Sequence, residues 1–396
     1  IIADTGEVLA MLQDTSTNGT LHNGRLIKRG AAVVLSDGDR IEIASHVFRY
    51  SHTVSSATTS AFTHAIRIGD FLVSPRTLGS GAYSQVFLAL STKTLRQVAC
   101  KRLARSNLKG DRLEAIQREV EMLKKAQHPN INKIEDVVIG DKDVHIFLQL
   151  VSGGDLFSHL VKRGRLDAPE AKFILYQLLI GLRYLHEEVN VAHRDIKLEN
   201  IILSHPSPFP HVLLADFGQS RSASQSFKSL NGTLQYMAPE QLLAWTRKGG
   251  YSGKKADVWG LGIVLALLLT GSHPFEPWSS SSSFASSSPY EPSPGTIRKY
   301  GQTAAAELAF SPGDRKVCEG VVSGEVLLPE IKFGSGDQAA RLLLAQMLSH
   351  DPFRRATAAQ ALNSRWIKES KKELERLYER VVSDEQVAKK AEEKRK

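Results

Sequence analysis

His193-Arg194-Asp195-Ile196-Lys197-Leu198-Glu199-Asn200 is the stretch on which the reading of this chain turns. A carboxylate at Asp195 can accept the proton of an attacking hydroxyl. Lys197 can neutralise an anionic group in transfer, and the amide oxygen of Asn200 can bind a metal ion.

The flanking sequence extends this chemistry. Asp216-Phe217-Gly218 puts a carboxylate at a strand end with Gly two residues on, which suits a Mg²⁺ ligand on a turn. Ala238-Pro239-Glu240 follows. Upstream, Gly79-Ser80-Gly81-Ala82-Tyr83-Ser84-Gln85-Val86 is a Gly-rich loop whose third Gly is replaced by Ser84. Glycines let backbone N–H groups approach phosphate oxygens. A dinucleotide fold would need a helix straight after the loop, whereas Val86–Leu90 reads as a strand. A hairpin covering nucleotide phosphates fits better. Val98-Ala99-Cys100-Lys101 is the next strand. By itself Lys101 could be a surface lysine with a snorkelling stem. Buried, it needs an anionic partner. Glu119, on a helix over Leu113–Ala126 that ends before His128-Pro129, is the candidate, and Glu121 points to another face.

Five such motifs in this order identify residues 65–367 as resembling the protein-kinase family. The resemblance implies ATP and Mg²⁺ as cofactors and protein Ser/Thr as substrate. Asp195, Lys197, Lys101 and Glu119 would be catalytic, and Asn200 and Asp216 would hold the metal. Leu78, Gly79, Ser80, Gly81, Ala82, Tyr83, Ser84, Val86, Ala99, Lys101, Leu148 (as gatekeeper), Gln149, Val151 and Asp155 would contact ATP, with Gln149–Val151 as the adenine hinge. Asp257-Val258-Trp259 looks like the helix start that braces the catalytic loop, and Glu240 would pair with Arg355. Thr233 and Lys197 follow the serine/threonine pattern. Asp155 and Glu199 resemble the acidic pair that selects Arg about three residues before the target. Within the activation segment Gln219–Thr233, Ser229 and then Ser226 are the candidate phosphorylation sites, with Arg194 as the phosphate's partner.

Residues 1–50 alternate apolar and polar, with turn pairs Asn18-Gly19, Asn23-Gly24 and Asp37-Gly38. Short antiparallel strands are predicted, among them Ala32–Leu35 and Arg40–Ile43. Asp14 to Thr20, Asn23-Gly24, Leu35 and Gly38-Asp39-Arg40-Ile41 resemble the second half of a forkhead-associated (FHA) domain, a β-sandwich that binds phosphothreonine peptides. Of that family's peptide contacts, Thr17 and Asn18 carry over. The family's Gly-Arg and Ser-x-x-His phosphate ligands are not in this sequence, which reads as cut at its N-terminus. Weak phosphothreonine binding and a loosely docked segment with exposed edges at Ile1-Ile2 and Val8–Leu12 are therefore expected.

The expected fold class is an α+β two-lobed protein kinase fold, preceded by a partial all-β FHA sandwich. The expected domains are residues 1–50 (FHA part), 51–64 (linker), 65–367 (kinase, with a disordered insertion at 279–315) and 368–396 (charged helical tail). Ser and Pro crowd residues 279–295 and cannot build a core. In the helical half, Pro169–His186 reads as one helix with a stripe of Ala171, Ile174, Leu175, Leu178, Leu182 and Leu185. The tail carries only a faint stripe, Leu374, Leu377 and Val381, and reads as a solvated helix.

FHA next to a kinase resembles the checkpoint and meiotic kinases of the calmodulin-kinase-like group, as does Ser152-Gly153-Gly154-Asp155-Leu156-Phe157. That resemblance implies a role in DNA-damage, replication or meiotic checkpoints, a nuclear setting, a phosphothreonine-bearing partner and a possible homodimer for activation in trans. The competing readings are a phosphothreonine-dependent adaptor with a structural kinase half and a nucleic-acid binder. Lys101, Asp195, Asn200 and Asp216 are all present, against the first. The net charge of +9 comes without an Arg-rich tract interleaved with aromatics, so direct nucleic-acid binding is disfavoured. No apolar run is long enough to span a membrane, and two distant cysteines, Cys100 and Cys318, suggest a reducing compartment.

Overall fold

The structure is a computed structural model. It describes residues 10–14, 16, 19–27, 31–36, 38–44, 46–50, 62, 64–81, 84–104, 124, 126–205, 207–216, 221–222, 234–246, 250–275, 321 and 337–393. The sequence readings on the helix Leu113–Ala126 (apart from Lys124 and Ala126), on most of the linker and on the insertion 279–315 lie outside these residues, as do Ile1-Ile2, Val8 and Cys318.

The chain divides into two compact units: residues 1–154 with 203–211 and 376–396, and residues 155–202 with 212–375. In the first unit the turn pairs set short strands. β1 (Met11–Gln13) is followed by β2 (Thr20–His22), β3 (Arg25–Ile27), β4 (Ala32–Val34), β5 (Arg40–Ile43) and β6 (His46–Arg49). β1 pairs with β4, and the others form a sheet in the order β3-β2-β5-β6. Asn23 and Gly24 both take positive φ (51° and 77°), which is the two-residue turn that joins β2 to β3. Thr20, Ile27 and Ile41 are buried on one face of this sheet, while Ile43 and Phe48 of the same face are exposed.

The segment is held more firmly than the expectation of loose docking. Val34 is fully buried with Leu88, and Met11, Phe62, Leu78 and Leu150 pack around the pair. Met11–Gln13 is paired along one side with β4, Met11 facing Val34, and remains an edge strand of that two-stranded sheet.

The second sheet of this unit has six antiparallel strands in the order β11-β12-β10-β9-β8-β7. They are β7 (Ile66–Ile68), β8 (Phe71–Gly81), β9 (Ser84–Ser91), β10 (Gln97–Ala104), β11 (Ile134–Ile139) and β12 (Asp143–Gln149). One face carries a core of Phe71, Val73, Ala89, Val98, Cys100 and Phe147. Phe71 and Phe147 stack with ring centroids 3.7 Å apart. Burial pushes the Cys100 thiol up to about 12, so it is a packing residue and not a nucleophile.

The second unit is helical. α1 (Leu156–Val161) begins at Asp155, and α2 (Ala168–Arg183) runs into a wider π turn at Tyr184–Val189. All six residues of the predicted α2 stripe are buried, Leu185 falling in the π turn. α3 (Pro239–Thr246) precedes α4 (Gly253–Thr270), which is apolar on every side and buried along nearly its whole length. Then come α5 (Asp337–Met347), α6 (Ala358–Leu362), α7 (Arg365–Lys368) and the tail helix α8 (Lys371–Glu393). Leu374 and Val382 of α8 are buried and Leu377 and Val381 only partly so. The tail is therefore not evenly solvated, and its covered line is spaced by four residues.

Candidate active site

The catalytic stretch forms a loop between β13 (Val191–Ala192) and β14 (Ile201–Leu203), with a 3₁₀ turn at Leu198–Asn200. Asp257, buried near the start of α4, fixes its entry. Its Oδ2 accepts the His193 N–H at 2.8 Å and its Oδ1 accepts the Arg194 N–H at 2.6 Å. His186 Nε2 lies 2.8 Å from the same carboxylate. A Cβ at Gly260 would stand 3.1 Å from the Ile196 carbonyl, so a larger residue there would push α4 and the loop apart by a few tenths of an ångström.

Within the loop the three candidate groups converge. Lys197 Nζ is 2.9 Å from Asp195 Oδ2. Asn200 Nδ2 donates to Asp195 Oδ2 and to the Asp195 carbonyl, both at 2.8 Å. The carboxylate is thus aimed from two sides. The Asn200 amide nitrogen is used in that hold, and its oxygen is the atom suited to a cation. Arg194 and Asp216 both sit at positive φ (69° and 63°), an unfavourable conformation for side chains of this kind that persists where surrounding contacts impose it. Those contacts are visible around Asp216. Ala215 donates its N–H to the Asn200 carbonyl at 2.8 Å, and His193 Nε2 donates to the Ala215 carbonyl at 3.0 Å. The backbone before Asp216 is therefore tied to Asn200, the other candidate metal ligand.

One amide and one carboxylate fit Mg²⁺, which binds through one or two protein oxygens and completes its shell with water and substrate phosphates. No cluster of three or more His, Cys, Asp or Glu suited to a metal occurs among the described residues.

Two contacts in this unit were not legible in the motifs. Arg194 is buried, and its guanidinium donates to Tyr251 Oη at 2.9 Å. His273 donates from Nε2 to the Gln235 carbonyl at 2.8 Å, and its Nδ1 accepts the Phe275 N–H at 3.3 Å. Complete burial lowers its pKa to about 4, so the ring is neutral. Arg355 forks onto Glu240, NH1 to Oε1 at 2.6 Å and NH2 to Oε2 at 2.8 Å, with Trp259 beneath it. That is the pair the sequence resemblance implied.

Asp155 caps α1, its Oδ1 accepting the Ser158 N–H at 2.6 Å. Glu199 reaches solvent, yet crowding around its carboxyl desolvates it and raises its pKa above the ordinary glutamate value. Asp195 and Asp155 add to that rise, and Lys197 opposes it. The two acids therefore sense one another.

In the first unit, the Gly-rich hairpin is the turn between β8 and β9, where Gly81 faces Ser84 and Gly79 faces Val86. Lys101 lies between Val86 and Ile146, and Ala99 lies between Leu88 and Leu148. Side chains two apart on a strand share a face. Gly79, Val86, Ala99, Lys101 and Leu148 therefore line one face, opposite the Cys100 and Phe147 core. Leu78 and Ser80 belong to β8, Gln149 ends β12, and Val151 follows it. Ala82, Tyr83, Glu119, Phe217, Gly218, Ser226, Ser229, Thr233, Thr17 and Asn18 lie outside the described residues. Asp14, buried, accepts at Oδ1 from Ser16 Oγ (2.6 Å) and Thr20 Oγ1 (2.9 Å).

Comparison with known proteins agrees with this arrangement. Residues 72–367 match the family described as protein kinase domain, and residues 3–44 match the FHA domain. The meiosis-specific serine/threonine-protein kinase mek1 of Schizosaccharomyces pombe is 32% identical over 393 residues, covering 96% of this chain and 77% of that protein. The ovarian-specific serine/threonine-protein kinase Lok of Drosophila melanogaster is 27% identical over 368 residues, covering 91% and 70%. The serine/threonine-protein kinase cds1 of S. pombe is 32% identical over 289 residues, covering 69% and 62%. The chain belongs to the protein kinase family, as a serine/threonine protein kinase that carries an FHA domain.

Proposed function

We propose that this kinase transfers the γ-phosphoryl group of ATP to Ser or Thr of proteins that carry Arg about three residues before the target. The observation that carries the reading is the convergence of Lys197 and Asn200 on the Asp195 carboxylate. Asp195, held by these two donors, takes the proton of the substrate hydroxyl. Lys197 faces the same carboxylate and neutralises charge that develops on the transferring group. Asn200 and Asp216 would hold Mg²⁺, which when bound screens the phosphate charge. Lys101, Glu119 and the residues of the Gly-rich hairpin and hinge would hold and orient ATP.

The acidic pair Asp155 and Glu199 supports Arg recognition, since carboxylate–guanidinium pairing is bidentate and strong. Phosphorylation at Ser229, or next at Ser226, would switch the kinase on, and Thr233 would contact the substrate side of the loop. The FHA segment supports recruitment to a phosphothreonine-bearing partner, or to a second copy for activation in trans. The meiosis-specific name of one relative supports a meiotic role, and a checkpoint role in the nucleus follows from the sequence resemblance. Among the described residues no helix is long and apolar enough to cross a membrane.

The test is a peptide array phosphorylated with Mg-ATP by the purified chain. Phosphorylation of Ser/Thr peptides with Arg three residues upstream is expected. Phosphorylation without any upstream basic preference would refute the substrate class.

A further inference from the structure

Tyr378, in the charged tail helix α8, donates its hydroxyl to Oδ1 of Asn130 at 2.8 Å. Nothing in the catalytic reading uses this contact. Asn130 is fully buried, and Ile131 and Asn132 beside it are nearly so. The loop is a tight turn: Asn130 N–H donates to His128 Nδ1 at 3.1 Å, and Ile131 N–H donates to the His128 carbonyl at 3.0 Å. Three residues after Asn130, the Lys133 carbonyl accepts the Gln149 N–H at 2.9 Å. Ile134 then pairs with Leu148 in the sheet. The loop that Tyr378 grips is therefore the backbone support of Leu148 and Gln149.

We propose that Tyr378 is a positioning residue for the nucleotide site, the tail helix acting as a latch on the loop that supports the adenine hinge. The proposal rests on the reading of Gln149–Val151 as that hinge. Val382, one turn beyond Tyr378 and on the same side of the helix, is buried. Close-packed segments pass a displacement on to their neighbours because no void absorbs it. Losing the latch shifts Lys133 and with it the Gln149 peptide. The consequence falls on ATP binding and leaves the peptide subsite in the second unit unaltered.

The experiment uses the full chain and measures KM for ATP and for a peptide substrate separately. Tyr378→Phe removes the donor and keeps the ring. Val382→Asp dislodges the helix by burying a charge. Each is expected to raise the KM for ATP by about three- to tenfold, the scale of a lost buried hydrogen bond, with the peptide KM unchanged. The double variant is expected to be no worse than Val382→Asp, because both undo one contact. An unchanged KM for ATP in both variants, or a peptide KM that rises in step, overturns the latch. Leu148→Trp separates the two readings. If it leaves the KM for ATP unchanged, the hinge assignment falls and the latch with it. If it raises that KM while Tyr378→Phe and Val382→Asp are silent, the latch alone is wrong.

Discussion

Gln97 brackets the peptide group of Val34: its Oε1 accepts the Val34 N–H at 2.6 Å and its Nε2 donates to the Val34 carbonyl at 3.1 Å. A side chain at the start of β10 thus takes the place of a neighbouring strand. It fastens the FHA segment to the kinase sheet over the Val34 and Leu88 cluster. Gln97→Ala removes both bonds and should weaken this attachment by about 1–2 kcal/mol. Faster hydrogen exchange across Ala32–Val34 is the expected result, with exchange in β10 to β12 unchanged. Undiminished protection at Val34 would show that apolar packing alone holds the segment.

Arg355 has no exposed side-chain surface, and Glu240 retains 15%. Removing one member of such a pair leaves the other charge buried. Arg355→Met should cost about 3 kcal/mol, the range for broken buried pairs. Urea unfolding monitored by tryptophan fluorescence reads this, since Trp259 lies under the guanidinium.

His273 has a folded pKa of about 4 against an ordinary value of 6.5. Above 6.5 both the folded and unfolded rings are neutral. As pH falls from 6.5 towards 4 the unfolded ring binds a proton that the folded ring refuses, so stability is lost across that window. The loss approaches about 3 kcal/mol by linkage. His273→Gln should flatten this part of the stability–pH curve. An identical curve in the variant would remove His273 as the source.

Much of the catalytic loop was legible because its chemistry is written in contiguous residues. Asp195, Lys197 and Asn200 lie within six positions and meet in space. The α2 stripe was legible because a helix repeats its buried face every three to four residues. The positive φ of Arg194 and Asp216 was not, because neither residue type advertises it. The Gln97 clamp joins residues 63 positions apart through a polar side chain, and no local pattern marks such a pair. In the tail, the charges hid a covered line of Leu374, Tyr378 and Val382, of which Tyr378 reads as polar or apolar with equal ease. The predicted stripe followed Leu377 and Val381 instead, neighbours on the adjoining face.

Glu199 carries a raised carboxyl pKa. A raised value means that the charged form is lost at higher pH than for an ordinary glutamate. The KM for a peptide with Arg three residues upstream should therefore rise as pH falls towards that raised value. Glu199→Gln should raise this KM at neutral pH and remove most of its dependence on pH. A peptide with Ala in place of that Arg should show neither effect. Steady-state kinetics from neutral to mildly acidic pH checks this.

The account stands on Asp195 as the group that accepts the substrate proton. Its most direct test is phosphoryl transfer from radiolabelled ATP by purified Asp195→Ala protein, beside Lys101→Met, with folding confirmed by circular dichroism. Both variants should fold as the parent does and lose about three orders of magnitude or more in turnover, because each removes charge that acts in the transition state. Substantial turnover by folded Asp195→Ala protein would contradict the assignment.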